Sequence, residues 1–238
     1  MRFSDKKVFI TGASRGIGAS IASKFRDEGA FVIGTRTSSS SEIEADCDYW
    51  LDVDFTDEKQ ILECARYLKA QTIDILINNA GINSNGGFAE IDLNMFKTIQ
   101  QVNLLAPFLL CQAVIKGMSK QSWGRIVNIS SIFGKISKEG RATYSASKFG
   151  LDGLTIALAA EYSSDGIIAN CIAPGFIDTS LTRRMLSSDQ ITALTAQVPV
   201  GRLGDVGEIS NLVLWLSSSE NTFITGQNIA IDGGFTRV

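Results

Sequence analysis

The sequence predicts an α/β fold, a single domain over 1–238 in which a doubly wound parallel sheet of about seven strands carries helices on both faces. Two observations predict it. Short apolar runs alternate with helix-length amphipathic segments along the chain, and a glycine-rich turn joins the first run to the first helical segment. Alternation of this kind implies right-handed crossovers between parallel strands.

The strand candidates, in order, are "KVFIT" (7–11), "FVIGT" (31–35), "DYWLDV" (48–53), "DILIN" (74–78), "RIVNIS" (125–130), "IIANCIA" (167–173) and "NIAID" (228–232). All but the weaker "DYWLDV" are apolar enough for strands buried on both faces. After the first run, Ile17, Ile21 and Phe25 recur every four residues and make one helical face; Val206, Ile209, Leu212, Val213 and Leu216 do the same near the end. The Ser-rich piece "TRTSSSSEIE" (35–44) reads as a loop. The long connection at 178–199 has helical patches but little apolar period, and is expected to form a lid. No Pro/Gly-rich linker divides the chain.

Composition narrows the chemistry. Of 238 residues, 45% are hydrophobic and 20% charged, the net charge is -3, and no Lys/Arg cluster marks a nucleic-acid or anionic-membrane partner. No stretch approaches the roughly 18 apolar residues of a membrane span. Four dispersed cysteines without a C-x-x-C pair read as thiols in a reducing compartment, so a cytoplasmic protein is expected. With no histidine, Ser-His-Asp and Cys-His systems are excluded, and acid/base work falls to Tyr, Lys, Asp or Glu.

"TGASRGIG" (11–18) has the form of a nucleotide turn. Gly12 permits the tight bend, Gly16 close approach of a ligand and Gly18 tight helix packing, while the helix N-terminus faces an anion. An acid ending the second strand would select NAD. That strand ends "GTRT", and Arg36, Thr37 and Arg15 suit a 2'-phosphate, so NADP(H) is preferred; both arginines as solvated surface charges is the alternative. "YSASK" sets Tyr144 and Lys148 four residues apart, on one face if helical. Lysine beside tyrosine favours the phenolate, moving a pKa of about 10 towards neutrality. Alone, that spacing describes a surface helix better than a site. "NNAG" (78–81), "NISS" (128–131) and "APGFIDT" (173–179) end further strands, the edge where ligands bind in such sheets.

With "TGASRGIG", "NNAG", Asn103, Ser131, "YSASK", "PG" and the terminal "ITGQNIAIDGG" in this order, the chain resembles the short-chain dehydrogenase/reductase family over essentially its full length, and most of all bacterial 3-oxoacyl-[acyl-carrier-protein] reductases. The resemblance implies a Rossmann-type fold, Tyr144 as general acid, Lys148 on the nicotinamide ribose and lowering the tyrosine pKa, Ser131 orienting the carbonyl, and Asn103 supporting a water relay to Lys148. It further implies cofactor contacts from Gly12, Ser14, Arg15, Gly16, Ile17, Gly18, Arg36, Thr37, Asp52, Val53, Asn79, Ala80, Gly81, Pro174, Gly175, Ile177 and Thr179, and no metal.

The implied reaction is NADPH-dependent reduction of a ketone to a secondary alcohol, of the 3-oxoacyl thioester type. A departure concerns acyl carrier protein: relatives carry basic residues near the active-site mouth, whereas here those loops read "SKQSW" and "YSSDG", with Trp123 and Asp165 in place of arginine. A small polar or sugar-derived ketone is the alternative substrate, with Arg141, Asn83 and Asn85 at the mouth; a non-catalytic nucleotide sensor is a third reading. "FLLCQAVIKGM" (108–118), "LDGLTIALAAE" (151–161) and "LVLWL" (212–216) are apolar on more faces than one sheet contact requires, and a homotetramer with two-fold axes is expected.

Overall fold

The computed structural model describes residues 1–40 and 42–238. Its strands are β1 (Lys7–Ile10), β2 (Phe31–Arg36), β3 (Tyr49–Asp52), β4 (Ile75–Asn78), β5 (Gly124–Ile129), β6 (Ile167–Pro174) and β7 (Asn228–Ile231). The helices are α1 (Gly16–Asp27), α2 (Glu58–Lys69), α3 (Leu93–Gln100), α4 (Ala106–Gln121), α5 (Ala142–Tyr162), α6 (Ser180–Met185), α7 (Ser188–Thr195) and α8 (Val206–Ser217). All strand pairs are parallel, in the order β3-β2-β1-β4-β5-β6-β7. The seven sequence runs therefore all become strands. Because the chain reverses direction across the sheet between β1 and β4, a crevice opens beyond the carboxyl ends of those two strands.

Strand alternation explains the two cores. Val8 and Ile10 of β1, Ile75 and Ile77 of β4, and Val127 and Ile129 of β5 face α1 and α8, whereas Phe9, Leu76 and Ile126 face α2 and α4. Each strand is apolar at consecutive positions because both faces are covered. On one side Ile21 and Phe25 of α1 meet Ile209 and Val213 of α8, as their period requires. Within "LVLWL", Val213, Leu214 and Leu216 are buried by the fold itself, so most of its apolar excess is consumed within the chain. The outer strands differ: β7 is half-buried throughout and β3 is exposed at both ends.

Local signals set several boundaries. Asp57 caps α2 by accepting the Lys59 N–H, and Asp205 with Glu208 forms a capping box at α8. The 178–199 connection contains α6 and α7, the latter started by a Ser187/Gln190 capping box. The Ser-rich stretch is loop beyond β2; its Ser41 lies outside the described residues. One feature departs from the sequence expectation about membranes. Through a π-helical turn, Gln101–Leu105, α3 runs on into α4, and the continuous Leu93–Gln121 helix is long and apolar enough by composition to cross a bilayer. Leu110, Cys111, Val114 and Met118 from it are buried against the sheet, so core packing accounts for about half of that apolar stretch, which is 50% buried.

Candidate active site

The site begins with the turn between β1 and α1. Gly12 and Gly16 have φ of +63° and +58°, the left-handed region that favours glycine. At Gly18 a side chain would strike the Gly12 carbonyl and the Asn79 amide. Asn79 holds that turn: its Nδ2 donates to the Thr11 and Gly12 carbonyls, each at 2.9 Å, and the Thr11 hydroxyl accepts the Asn79 and Ala80 N–H groups. The Thr35 hydroxyl accepts the Gly12 N–H. Asn79 thus braces the crevice between β1 and β4 through a side chain already engaged within the protein.

The Gly16 N–H donates to a Glu44 carboxylate oxygen at 2.7 Å, Ser180 donates to the other oxygen at 3.1 Å, and the Glu44 N–H meets the Ser14 carbonyl at 2.7 Å. The turn therefore binds anionic oxygen, as a dinucleotide phosphate requires. Ile17 lies half-buried in the first turn of α1 and Arg15 is exposed. Across the ends of β2 and β3, Arg36 donates to Asp52 at 2.7 Å and lies over the Trp50 ring at 5.6 Å, while Thr37 is exposed beside it. Val53 is buried and donates its N–H to the Arg36 carbonyl.

Three elements meet beyond β4, β5 and β6. A Cβ on Gly81 would lie 3.4 Å from Asn103 Oδ1 and 3.5 Å from Lys148 Nζ, so a side chain here would intrude between them. Asn103, fully buried in the π-helical turn, accepts the Ile82 N–H and donates to the Ile82 carbonyl and to Ser147 Oγ. Its side chain ties the loop after β4 to α5, and it has no direct bond to Lys148. A π-turn re-aims side chains relative to α-helical phase, and such turns recur at functional sites. Ser131 follows β5; its oxygen accepts the Phe133 N–H at 3.2 Å, leaving its own proton to donate. Pro174 ends β6, Gly175 packs where a Cβ would strike Asp232, Ile177 is buried and bridges to Gly204, and Thr179 caps α6.

Tyr144 and Lys148 share one face of α5, with Nζ 5.6 Å from the centre of the phenol ring. The expected direction for the phenol is not the one found. Burial raises the Tyr144 pKa, opposed by its interactions with Ser131 and Arg141, and burial lowers Lys148 to about 8. The ammonium donates to the Ile129 carbonyl at 2.8 Å, and desolvation dominates both groups. Tyr144 consequently remains a neutral phenol at neutral pH.

At the mouth, the Gly86 N–H donates to the Gly140 carbonyl, joining the loop that bears exposed Asn83 and Asn85 to the start of α5. Arg141 stands there. The "SKQSW" and "YSSDG" loops do not: they lead into β5 and β6 and so lie at the amino edge of the sheet, opposite the site. Trp123 is a platform for Lys6 and Arg125, at 4.0 and 4.7 Å. Sequence reasoning missed Glu44, the brace formed by Asn79, and Phe133, whose N–H donates to Ser131 and whose ring carries Arg141.

The family model described as Enoyl-(Acyl carrier protein) reductase matches residues 12–236. The 3-oxoacyl-[acyl-carrier-protein] reductase of Escherichia coli is 41% identical over 246 residues, covering 100% of both chains, and that of Vibrio cholerae is 40% identical over 98% of both. Among solved structures, a gluconate 5-dehydrogenase from Burkholderia cenocepacia in complex with NADP and tartrate superposes with a TM-score of 0.89 at 28% identity, over 100% of this chain and 97% of that one. ElxO with NADP bound gives 0.88 at 30% identity, over 98% and 99%.

Proposed function

The chain belongs to the short-chain dehydrogenase/reductase family, and on that premise we propose that it reduces a ketone to a secondary alcohol at the expense of NADPH, with a 3-oxoacyl thioester as the substrate type. The observation that carries this reading is the convergence of Ser131 and Lys148 on Tyr144 at the carboxyl edge of the sheet, with Lys148 Nζ 5.6 Å from the centre of the phenol ring. The cofactor is NADP(H), and the glycine turn fits it: the Gly16 N–H already holds carboxylate oxygen, and Gly12 and Gly18 keep the turn free of side chains. Arg15, Arg36 and Thr37 would hold the 2'-phosphate, and Lys148 the nicotinamide ribose, near Ile177 and Thr179.

When bound, the dihydronicotinamide supplies the hydride. Ser131, which already interacts with the phenol, donates its hydroxyl proton to the carbonyl oxygen and fixes it beside Tyr144. Tyr144, kept neutral by burial, transfers its proton to that oxygen as negative charge develops there. Lys148, charged below about pH 8, stabilises the phenolate left behind. Asn103 holds α5 and the loop after β4 in register through Ser147 and Ile82. The lid formed by 178–199 closes over the cofactor, with Ser180 already reaching the glycine turn through Glu44.

Full-length identity to 3-oxoacyl-[acyl-carrier-protein] reductases supports the thioester reading. The mouth favours a second one, a polar or sugar-derived ketone, because Arg141, Asn83 and Asn85 border it. NADPH consumption with acetoacetyl thioesters, with and without acyl carrier protein, beside polar ketones decides between them. The reading places the enzyme in the cytoplasm, in keeping with four free cysteines whose pKa values burial pushes up to about 12. It also takes the assembly to be a homotetramer.

A further inference from the structure

Two cations stand against one aromatic ring at the mouth of the site. Arg141 Cζ lies 4.8 Å from the centre of the Phe133 ring and Lys138 Nζ lies 5.9 Å from it. Phe133 is buried and bonded through its N–H to Ser131. Arg141 is the N-cap of α5, three residues before Tyr144, and its guanidinium is close enough to act on the phenol's ionisation. Among the described residues neither cation has a carboxylate within ion-pair distance, although most other arginines have one.

A half-buried guanidinium without an acid carries a desolvation cost that a paired one offsets. Stacking on Phe133 stabilises it only in part and leaves the in-plane N–H donors unengaged. Those donors form a planar fork, the arrangement that matches a carboxylate.

We infer that Arg141, assisted by Lys138, forms a subsite for a carboxylate on the substrate, so that the ketone reduced is an oxo acid whose anionic group lies a few bonds from the reacting carbonyl. This deepens the second reading above and rests on the ketone-reductase assignment. Phe133 sets the distance: it joins the residue that orients the carbonyl to the pair that reads the anion. A neutral ketone still reaches Ser131 and Tyr144 but gains nothing from the pair.

The test compares acetoacetate with its neutral ethyl ester in wild type, Arg141→Gln, Arg141→Lys and Lys138→Gln. The acid-to-ester ratio of kcat/KM is expected to fall at least tenfold in Arg141→Gln, with the loss mainly in KM, several-fold in Lys138→Gln, and to recover in part in Arg141→Lys. Equal losses for acid and ester, or a pH-rate profile displaced for both, would overturn the inference, since Arg141 would then act through Tyr144. Calorimetric titration of succinate into the NADP-bound protein separates this result from failure of the reductase reading. Succinate binding weakened by Arg141→Gln, without turnover of either ketone, upholds the subsite and overturns the reductase reading. Binding indifferent to Arg141 overturns the subsite whatever the turnover.

Discussion

Arg36 Nε donates to Asp52 Oδ1 at 2.7 Å across the paired ends of β2 and β3, and among the described residues its other side-chain N–H groups make no hydrogen bond. Arg36→Ala should weaken NADPH binding tenfold or more and NADH far less, because only NADPH carries the 2'-phosphate that a charge-assisted contact of about 1.5 to 3 kcal/mol would hold. Fluorescence titration with both cofactors checks this; equal losses would show that Arg36 does not read the phosphate.

Glu44 occupies the Gly16 N–H and is itself held by Ser180. Entry of a phosphate requires this carboxylate to leave, both for the hydrogen bond and for charge. Glu44→Gln should therefore tighten NADPH binding several-fold, with the gain largest at low salt where the carboxylate's repulsion is least screened. Weaker binding in the variant would mean that Glu44 supports the cofactor instead of competing with it.

The lowered pKa of Lys148 gives two slopes of opposite sign. From its ordinary 10.5 it falls to about 8 in the folded protein, so between these values the unfolded chain holds the proton that the native one has lost. This group's contribution to stability therefore rises with pH from about 8 to 10.5, and its destabilising effect is fully present below 8. NADPH affinity moves the other way, falling as the ammonium is lost above about pH 8. Lys148→Met should flatten both profiles, as measured by denaturant unfolding and by titration across pH 7 to 10.

Phe108 on α4 and Phe149 and Ile156 on α5 are 42%, 46% and 51% exposed, and the last two, seven residues apart, share one face of α5. Light scattering at micromolar concentration should give a tetramer, and Phe149→Glu combined with Ile156→Glu should dissociate it. A fully active wild-type monomer would contradict the assembly.

How much of this was legible in the sequence depended on what each residue answers to. The seven strands were readable because two-sided burial makes "DILIN" or "IIANCIA" apolar at successive positions, and their ends placed Gly12, Ser131 and Pro174 on one edge. Glu44 was not readable, since its role follows from the path of a loop without apolar period. Asn103 sits in a π-helical turn, whose altered phase no helical spacing reports. The direction of the Tyr144 shift depends on burial against the Lys148 charge, a balance fixed only by packing. Trp123 was assigned to the mouth by resemblance, whereas the sheet's polarity puts it on the opposite edge.

The most direct measurement is NADPH oxidation with acetoacetyl thioesters and polar ketones by wild type and by Tyr144→Phe, with NADPH affinity measured in parallel. Removing the phenol proton while keeping the ring should cut kcat by at least a hundredfold for every ketone turned over, on the order of the contribution of a general acid, and leave NADPH affinity within a few-fold. Turnover in Tyr144→Phe equal to that of wild type would contradict the account.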